Sequence, residues 1–310
     1  MKCFQVAEMN QAKRRDQKVA RIPINTNTTE FLIENAPDEE QVPSRGYLGM
    51  SGLGDECKRK IWYGFRFASR SYISPRIKRI FERGNIEEKR IIKELKHHGI
   101  KVFKIEDGKR TELFGYEGES QEEIVGFAGH SKGHPDGRVL GLPESPEKEH
   151  LLEIKTMNDS NFKALKKEGV KASKPEYYCQ VQKYMSEMKD INGKQIDRAL
   201  FIATNKNDES RYYERIKLDK DYAEDISKIE THIIMSDQPA AEKFSRAYFK
   251  CKWCNHFDVC HNDEPPKVTC RSCEHVDMGV DGKWLCGLNN DKELSLEDQL
   301  KACPSYRRLF

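Results

Sequence analysis

The cysteines constrain this chain more than any other feature. It holds ten in 310 residues, and eight fall into two spaced sets: Cys57 with Cys251, Cys254 and Cys260, then Cys270, Cys273, Cys286 and Cys303. Cys3 and Cys179 stand apart and read as ordinary buried thiols. No run approaches the roughly 18 apolar residues of a membrane-crossing helix, and the opening MKCFQVAEMNQAKRRDQ lacks the apolar stretch of a secretory signal. The chain is therefore expected in a reducing cytoplasm, where thiols spaced this way serve metals more often than disulfides.

Only 37% of the residues are apolar and 34% are charged, which predicts a thin core under wide charged surfaces. The 54 basic side chains nearly cancel the 51 acidic ones, so any affinity for nucleic acid must come from local clustering. The tail, residues 262–310, is too short and polar to build a core of its own. A zinc knuckle on Cys270, Cys273, Cys286 and Cys303 is the expected substitute. The two sets could exchange members, Cys260 for Cys270, and His256, His261 and His275 are reserve ligands.

Residues 1–45 read as a polar arm or linker, with Lys13, Arg14 and Arg15 adding charge. The clearest helix runs from about Pro75 to His98, with Ile77, Phe81, Gly84, Glu88, Ile91 and Leu95 at alternating spacings of four and three. That stripe puts Glu88 on the core-facing side and Glu87 about 100° away from it. The segments EEIVGFAG, GRVLGL and HLLEIKT read as strands. A lysine-rich stretch follows over 161–174, then a helix over 175–189 whose apolar face is Tyr177, Val181, Tyr184 and Met188, bordered by Gln180. RALFIATN and RYYERIKL read as a hairpin across KNDES, and a last helix covers about 222–235. The expected fold is α/β: a mixed central sheet flanked by helices, with a small cysteine-rich, metal-bound C-terminal module.

Candidate chemistry gathers in HPDGRVLGL and LLEIKT. Glu153 and Lys155 are two apart on one strand and so share a face, while Asp136 opens the strand before. Carboxylates on neighbouring strands suit a hard divalent cation such as Mg²⁺ or Mn²⁺. A lysine beside that cation can orient or deprotonate a water and stabilise a pentavalent phosphoryl transition state.

Pro135-Asp136 followed by Glu153-Ile154-Lys155 resembles the PD-(D/E)xK nuclease superfamily. Gly84 with Glu88, and Gln180 with Tyr184, resemble the helical and Gln-x-x-x-Tyr motifs of its RecB and lambda-exonuclease branches, in the same order along the chain. Glu88 agrees with the lambda form and departs from the histidine of many RecB members. The resemblance covers roughly residues 77–190. It implies a restriction-endonuclease-like core, metal ligation by Glu88, Asp136, Glu153 and the Ile154 carbonyl, a catalytic Lys155, and positioning by Gln180 and Tyr184. His134 has no such counterpart and reads as a loop residue.

The split set of Cys57, Cys251, Cys254 and Cys260, with Ser51, Arg59 and Tyr63 around the first cysteine, resembles the iron–sulfur nucleases of the CRISPR-associated RecB-like and AddB types. That implies a [4Fe–4S] cluster closing the nuclease domain over 46–261, although the spacing by itself also fits a Cys₄ zinc site. Lys163, Lys166, Lys167, Lys171 and Lys174 are candidates for phosphate contact, weighed against a plain solvated helix face. The expected activity is a Mg²⁺- or Mn²⁺-dependent DNA exonuclease of recombination, repair or end processing, with a recombination or replication protein as a candidate partner. A restriction-type or structure-specific endonuclease and a silent DNA-binding scaffold subunit stand as alternatives.

Overall fold

The structure is a computed structural model that describes residues 28–34, 45–69 and 73–310. Cys3, Lys13, Arg14, Arg15 and most of the expected arm lie outside the described residues.

Short pieces come first: α1 (Thr29–Glu34), β1 (Leu48–Gly49) and α2 (Lys58–Phe65). Helix α3 (Pro75–His97) starts where the Ser74 side chain accepts from the Ile77 amide and Pro75 occupies the first turn. It stops just before Gly99, which takes a left-handed φ of 78°. The hairpin β2 (Lys101–Glu106) and β3 (Lys109–Glu112) turns on Asp107 and Gly108, both at positive φ as a two-residue turn requires. Strands β4 (Ile124–Val125) and β5 (Ser131–Gly133) form a small sheet with β1. Then come β6 (Gly137–Leu140), β7 (His150–Met157), α4 (Asp159–Ser173), α5 (Pro175–Glu187), β8 (Arg198–Asn205), β9 (Arg211–Lys217) and α6 (Lys220–Met235). The tail contributes α7 (Phe257–His261), β10 (Val276–Met278), β11 (Trp284–Cys286), β12 (Lys292–Glu293) and α8 (Leu296–Gln299).

The central sheet has six strands in the order β3-β2-β6-β7-β8-β9. Only β7 and β8 are parallel, joined by the α4–α5 crossover; the other pairs are antiparallel. The architecture is mixed α/β. Alternation along β7 sends Leu152 and Ile154 under α3 with Ile91, Ile92, Val102 and Val139. It sends Leu151 and Met157 to the opposite face, with Val181, Tyr184 and Met185 of α5. Glu153 and Lys155 share the parity of Leu151 and so point to the α5 side.

Two expectations about α3 need correction. Phe81, placed on the core stripe by its spacing, is 55% exposed, whereas Ile92, outside that stripe, is buried. Glu87, expected to point away, is also buried, where it accepts from the Thr204 hydroxyl at 2.9 Å and pairs with Arg211 at 3.2 Å. The physical reason is that the buried residues of α3 all lie from Glu87 onward. The first half of the helix presents no buried face, so periodicity there has no packing to report.

The tail packs into the main core. Trp284 is fully buried, 5.1 Å from the Phe65 ring, and the buried Arg271 donates to the Phe65 carbonyl at 2.9 Å and the Gly46 carbonyl at 2.5 Å. Among the described residues no helix is long and apolar enough to cross a membrane.

Candidate active site

The acid site forms where β6 parts from β7. Gly137 pairs with Leu152, so continuing the register by one residue sets Asp136 opposite Glu153. The Asp136 carboxylate then takes over from the ladder, and its Oδ2 accepts from the Ile154 amide at 2.7 Å. Its Oδ1 accepts from Gln121 Nε2 at 3.0 Å, and the same amide nitrogen donates to Glu88 Oε1 at 3.1 Å. Glu88 of α3, Asp136 at the head of β6 and Glu153 of β7 therefore meet around one side-chain amide and one ammonium, that of Lys155, which pairs with Glu153 Oε1. Gln121 carries no motif and was not singled out by sequence reasoning.

Burial decides the electrostatics. It pushes Glu88 up to about 8, with Asp136 adding to the rise, and Glu153 up to about 7. Asp136 is raised by burial too, against the pull of Lys155 and the Ile154 amide. Burial also works against the Lys155 ammonium, but Glu153 and Asp136 outweigh it and hold the lysine pKa above its ordinary value. Lys155 is thus a cation held against the acid set, suited to donate and orient. Its ammonium also lies 5.3 Å from the centre of the Tyr177 ring, a neighbour assigned only to packing by the sequence.

One feature bears directly on a cation. Both carboxylate oxygens of Glu153 are buried: Oε1 meets the Lys155 ammonium, and Oε2 has no partner. A buried carboxylate oxygen left without a partner is costly, and Oε2 of Glu153 together with the oxygen donors of Glu88 and Asp136 is the donor type that Mg²⁺ or Mn²⁺ takes. The residues present fit that ion. Among the described residues no three His, Cys, Asp or Glu side chains are drawn into a ready-made cage.

Helix α5 closes the site from the far side. Gln180 is buried, not solvated, and its amide donates to the Tyr184 hydroxyl at 3.2 Å. That hydroxyl accepts from the His134 amide at 3.3 Å, and the His134 ring lies 3.3 Å from the Tyr47 hydroxyl. The pair therefore steadies the turn that delivers Asp136 two residues later. Gly133 makes this possible, since a Cβ there would come within 2.4 Å of the Tyr184 ring. Burial, with Glu153 nearby, holds the tyrosine pKa well above its ordinary value.

The lysine run lies on α4 directly after β7, with Lys163, Lys166, Lys167 and Lys171 exposed. Part of its charge is already answered, since Lys163 pairs with Asp159 at 2.7 Å and Lys171 with Asp219 at 3.2 Å, while Lys174 donates to the neutral Asn161 at 2.9 Å.

Each cysteine set lines one small cavity. Cys57, Cys251, Cys254 and Cys260 share theirs with His256 and His261; Cys270, Cys273, Cys286 and Cys303 share theirs with His275. Burial, then Asp55 and the neighbouring Cys254 and Cys260, raises the Cys57 pKa, and burial with Cys273, Cys303 and Cys286 pushes Cys270 up to about 11. His256 is buried, and its pKa is lowered to about 4.

No family model matches this chain, and no curated protein matches it. Among solved structures, the crystal structure of SSO0001 is similar at 16% identity and a TM-score of 0.39, covering 71% of this chain and 88% of that one. An alkaline exonuclease (LHK-Exo) from Laribacter hongkongensis is similar at 16% identity and a TM-score of 0.41, covering 64% of this chain and 90% of that one. Its complex with dAMP gives 16% identity and a TM-score of 0.39, with 64% and 94% covered. These overlaps are loose, and the chemistry has to come from the residues themselves.

Proposed function

We propose that the protein is a divalent-metal-dependent deoxyribonuclease of the PD-(D/E)xK type, acting as an exonuclease in recombination, repair or end processing. The observation that carries this reading is Glu153, a buried carboxylate that pairs with Lys155 through one oxygen, leaves the other without a partner, and stands with two acids that share one amide. Glu88, Asp136, Glu153 and the Ile154 carbonyl would hold Mg²⁺ or Mn²⁺. The bound ion would supply an activated water and offset charge on the leaving oxygen. Lys155 offers its ammonium to the phosphoryl oxygens, where charge builds in the transition state. Gln121 fixes the separation of Glu88 and Asp136, and Tyr184 with Gln180 fixes the turn before Asp136. The exposed lysines of α4 meet the phosphate backbone, which favours little sequence preference.

The cysteines extend the proposal. Cys57, Cys251, Cys254 and Cys260 hold a [4Fe–4S] cluster, and Cys270, Cys273, Cys286 and Cys303 hold Zn²⁺. The first joins residues far apart in sequence and so opposes unfolding. Iron and zinc counts on anaerobically purified protein, with a band near ~400 nm for the cluster, test both assignments.

Purified protein should degrade linear DNA with Mn²⁺ and spare closed circular DNA. Lys155→Ala should lower turnover by about 10²–10³-fold while DNA is still bound. Full activity in both Asp136→Ala and Lys155→Ala would overturn the assignment, and cleavage of circular DNA would make the enzyme an endonuclease.

A further inference from the structure

Beyond the acid site, the segment after β3 presents two aromatic rings to solvent. Phe114 is 40% and Tyr116 60% exposed, and their rings lie parallel within 10° at a centroid distance of 5.5 Å. The loop that carries them is firmly built. The Glu119 carboxylate accepts from the amides of Phe114, Gly115 and Tyr116 at 2.8–3.1 Å. Gly115 has a φ of 73° and sits so close to α3 that a Cβ would come within 2.4 Å of the Lys89 carbonyl. Below it, the buried Leu113 amide donates to the Val102 carbonyl at 3.0 Å. Cations surround the pair: the Lys96 ammonium is 3.9 Å from the centre of Phe114 and the Lys93 ammonium 5.8 Å from that of Tyr116. Lys96 and Lys89 also pair with Glu112 at 2.7 Å and Glu117 at 2.5 Å.

The position of this pair is informative. Lys89, which the loop clasps, follows Glu88 directly on α3. Gln121, the amide that bridges Glu88 and Asp136, comes five residues after Tyr116, within about 18 Å by chain reach. The core has no use for the outer faces of these rings, yet the loop holds both in place. Parallel aromatic faces flanked by lysines are what stacked bases and their phosphates require, and such stacking is indifferent to base identity. A closed duplex offers base faces only at its end, whereas an unpaired strand offers them throughout.

We propose that Phe114 and Tyr116 form a stacking platform for the unpaired bases of the DNA strand that enters the acid site. The nuclease reading supplies the ligand class, so the proposal rests on it. The test uses the full chain without divalent metal, where nothing is cleaved. The probe is a duplex with a single-stranded tail carrying 2-aminopurine. Stacking should quench the probe, and the double variant Phe114→Ala/Tyr116→Ala should lose the quench and bind the tailed duplex roughly ten-fold more weakly. Tyr116→Trp should keep both, and Lys93→Ala should lower the slope of affinity against salt by about one instead. A double variant that melts like the wild type yet binds and quenches unchanged overturns the platform. So does one that binds DNA unchanged but changes oligomeric state, since the rings would then serve a protein contact. Wild-type cleavage with Mn²⁺ is scored separately: a dead enzyme that still quenches sinks the nuclease reading alone, and an active enzyme indifferent to the rings sinks the platform alone.

Discussion

Replacing Glu88 by glutamine should stabilise the metal-free protein at pH 8 and leave it nearly unchanged at pH 5. In the fold, burial and Asp136 carry Glu88 from its ordinary 4.5 to about 8, and burial carries Glu153 to about 7. A carboxyl whose folded pKa exceeds its unfolded one keeps its proton longer when folded. Its contribution is complete below pH 4.5 and is lost as pH rises through 7 to 8. Taken alone, the rises correspond to about 3 kcal/mol for Glu153 and about 5 kcal/mol for Glu88. The acids titrate as one set, so these values do not add, and solvent at the half-buried Glu88 reduces its share. About 2 kcal/mol is the gain expected from Glu88→Gln at pH 8. The buried His130, His150 and His256 slope the other way: burial lowers their pKa, so their contribution is lost as pH falls below 6.5. Subtracting the wild-type curve from that of the variant cancels them. Urea unfolding at several pH values, after divalent ions are removed on a chelating resin, reads the difference. Mn²⁺ should then stabilise the wild type more at pH 8 than at pH 5, and the variant much less. A difference flat in pH, or a variant less stable at pH 8, would refute the packed acid set.

Three other changes probe the frame around the site. Trp284→Ala removes a fully buried ring shared by the tail and the core, and should cost about 3–5 kcal/mol in denaturant unfolding. Gly133→Ala should lower turnover more than stability, because its methyl displaces the Tyr184 ring and with it the turn before Asp136; steady-state kinetics and a melt compare the two. Cys254→Ser should reduce any metal count of the first set and lower the melting temperature, leaving that of the second unchanged.

The elements with a packed face were legible. The helix over 175–189 appears as Pro175–Glu187, and the two strands around KNDES appear as Arg198–Asn205 and Arg211–Lys217. Helix α3 was found to within a residue, but its facing was not, because Phe81 repeats the period of a stripe where no sheet lies beneath it. The β2–β3 hairpin went unread for the opposite reason. Its turn, Asp107-Gly108, is a strong local signal, but Lys101, Lys104, Glu106, Lys109 and Arg110 hide the alternation. Strand β3 lies at the edge of the sheet, where charge is tolerated and even protective. Residues 122–129 promised a strand and yield only Ile124–Val125 before a short 3₁₀ turn, at Gly126, where a Cβ would come within 2.3 Å of the Ser131 hydroxyl.

At the site, the motif residues were nameable only through their resemblance to a family pattern, while Gln121 belongs to no such pattern. A neutral amide in the run ESQEEI has no periodicity and no partner in sequence. Its place is set by the next residue: Glu122 accepts from Arg138 Nε at 2.7 Å and Nη2 at 2.6 Å, and from the Ile105 amide at 3.0 Å. Arg138 lies two residues after Asp136 and also reaches Glu149 at 2.6 Å. The amide that bridges the acids and the acid it touches thus hang from one buried ion pair between the 114–122 segment and β6. Losing Arg138 would leave the buried Glu122 charged without its cation, a costly state. The same anchor fixes the far end of the loop that carries Phe114 and Tyr116, so the acid site and the aromatic pair share one mechanical support. Arg138→Met should therefore disturb Glu88–Asp136 spacing and ring placement together, whereas Gln121→Ala should disturb the first alone.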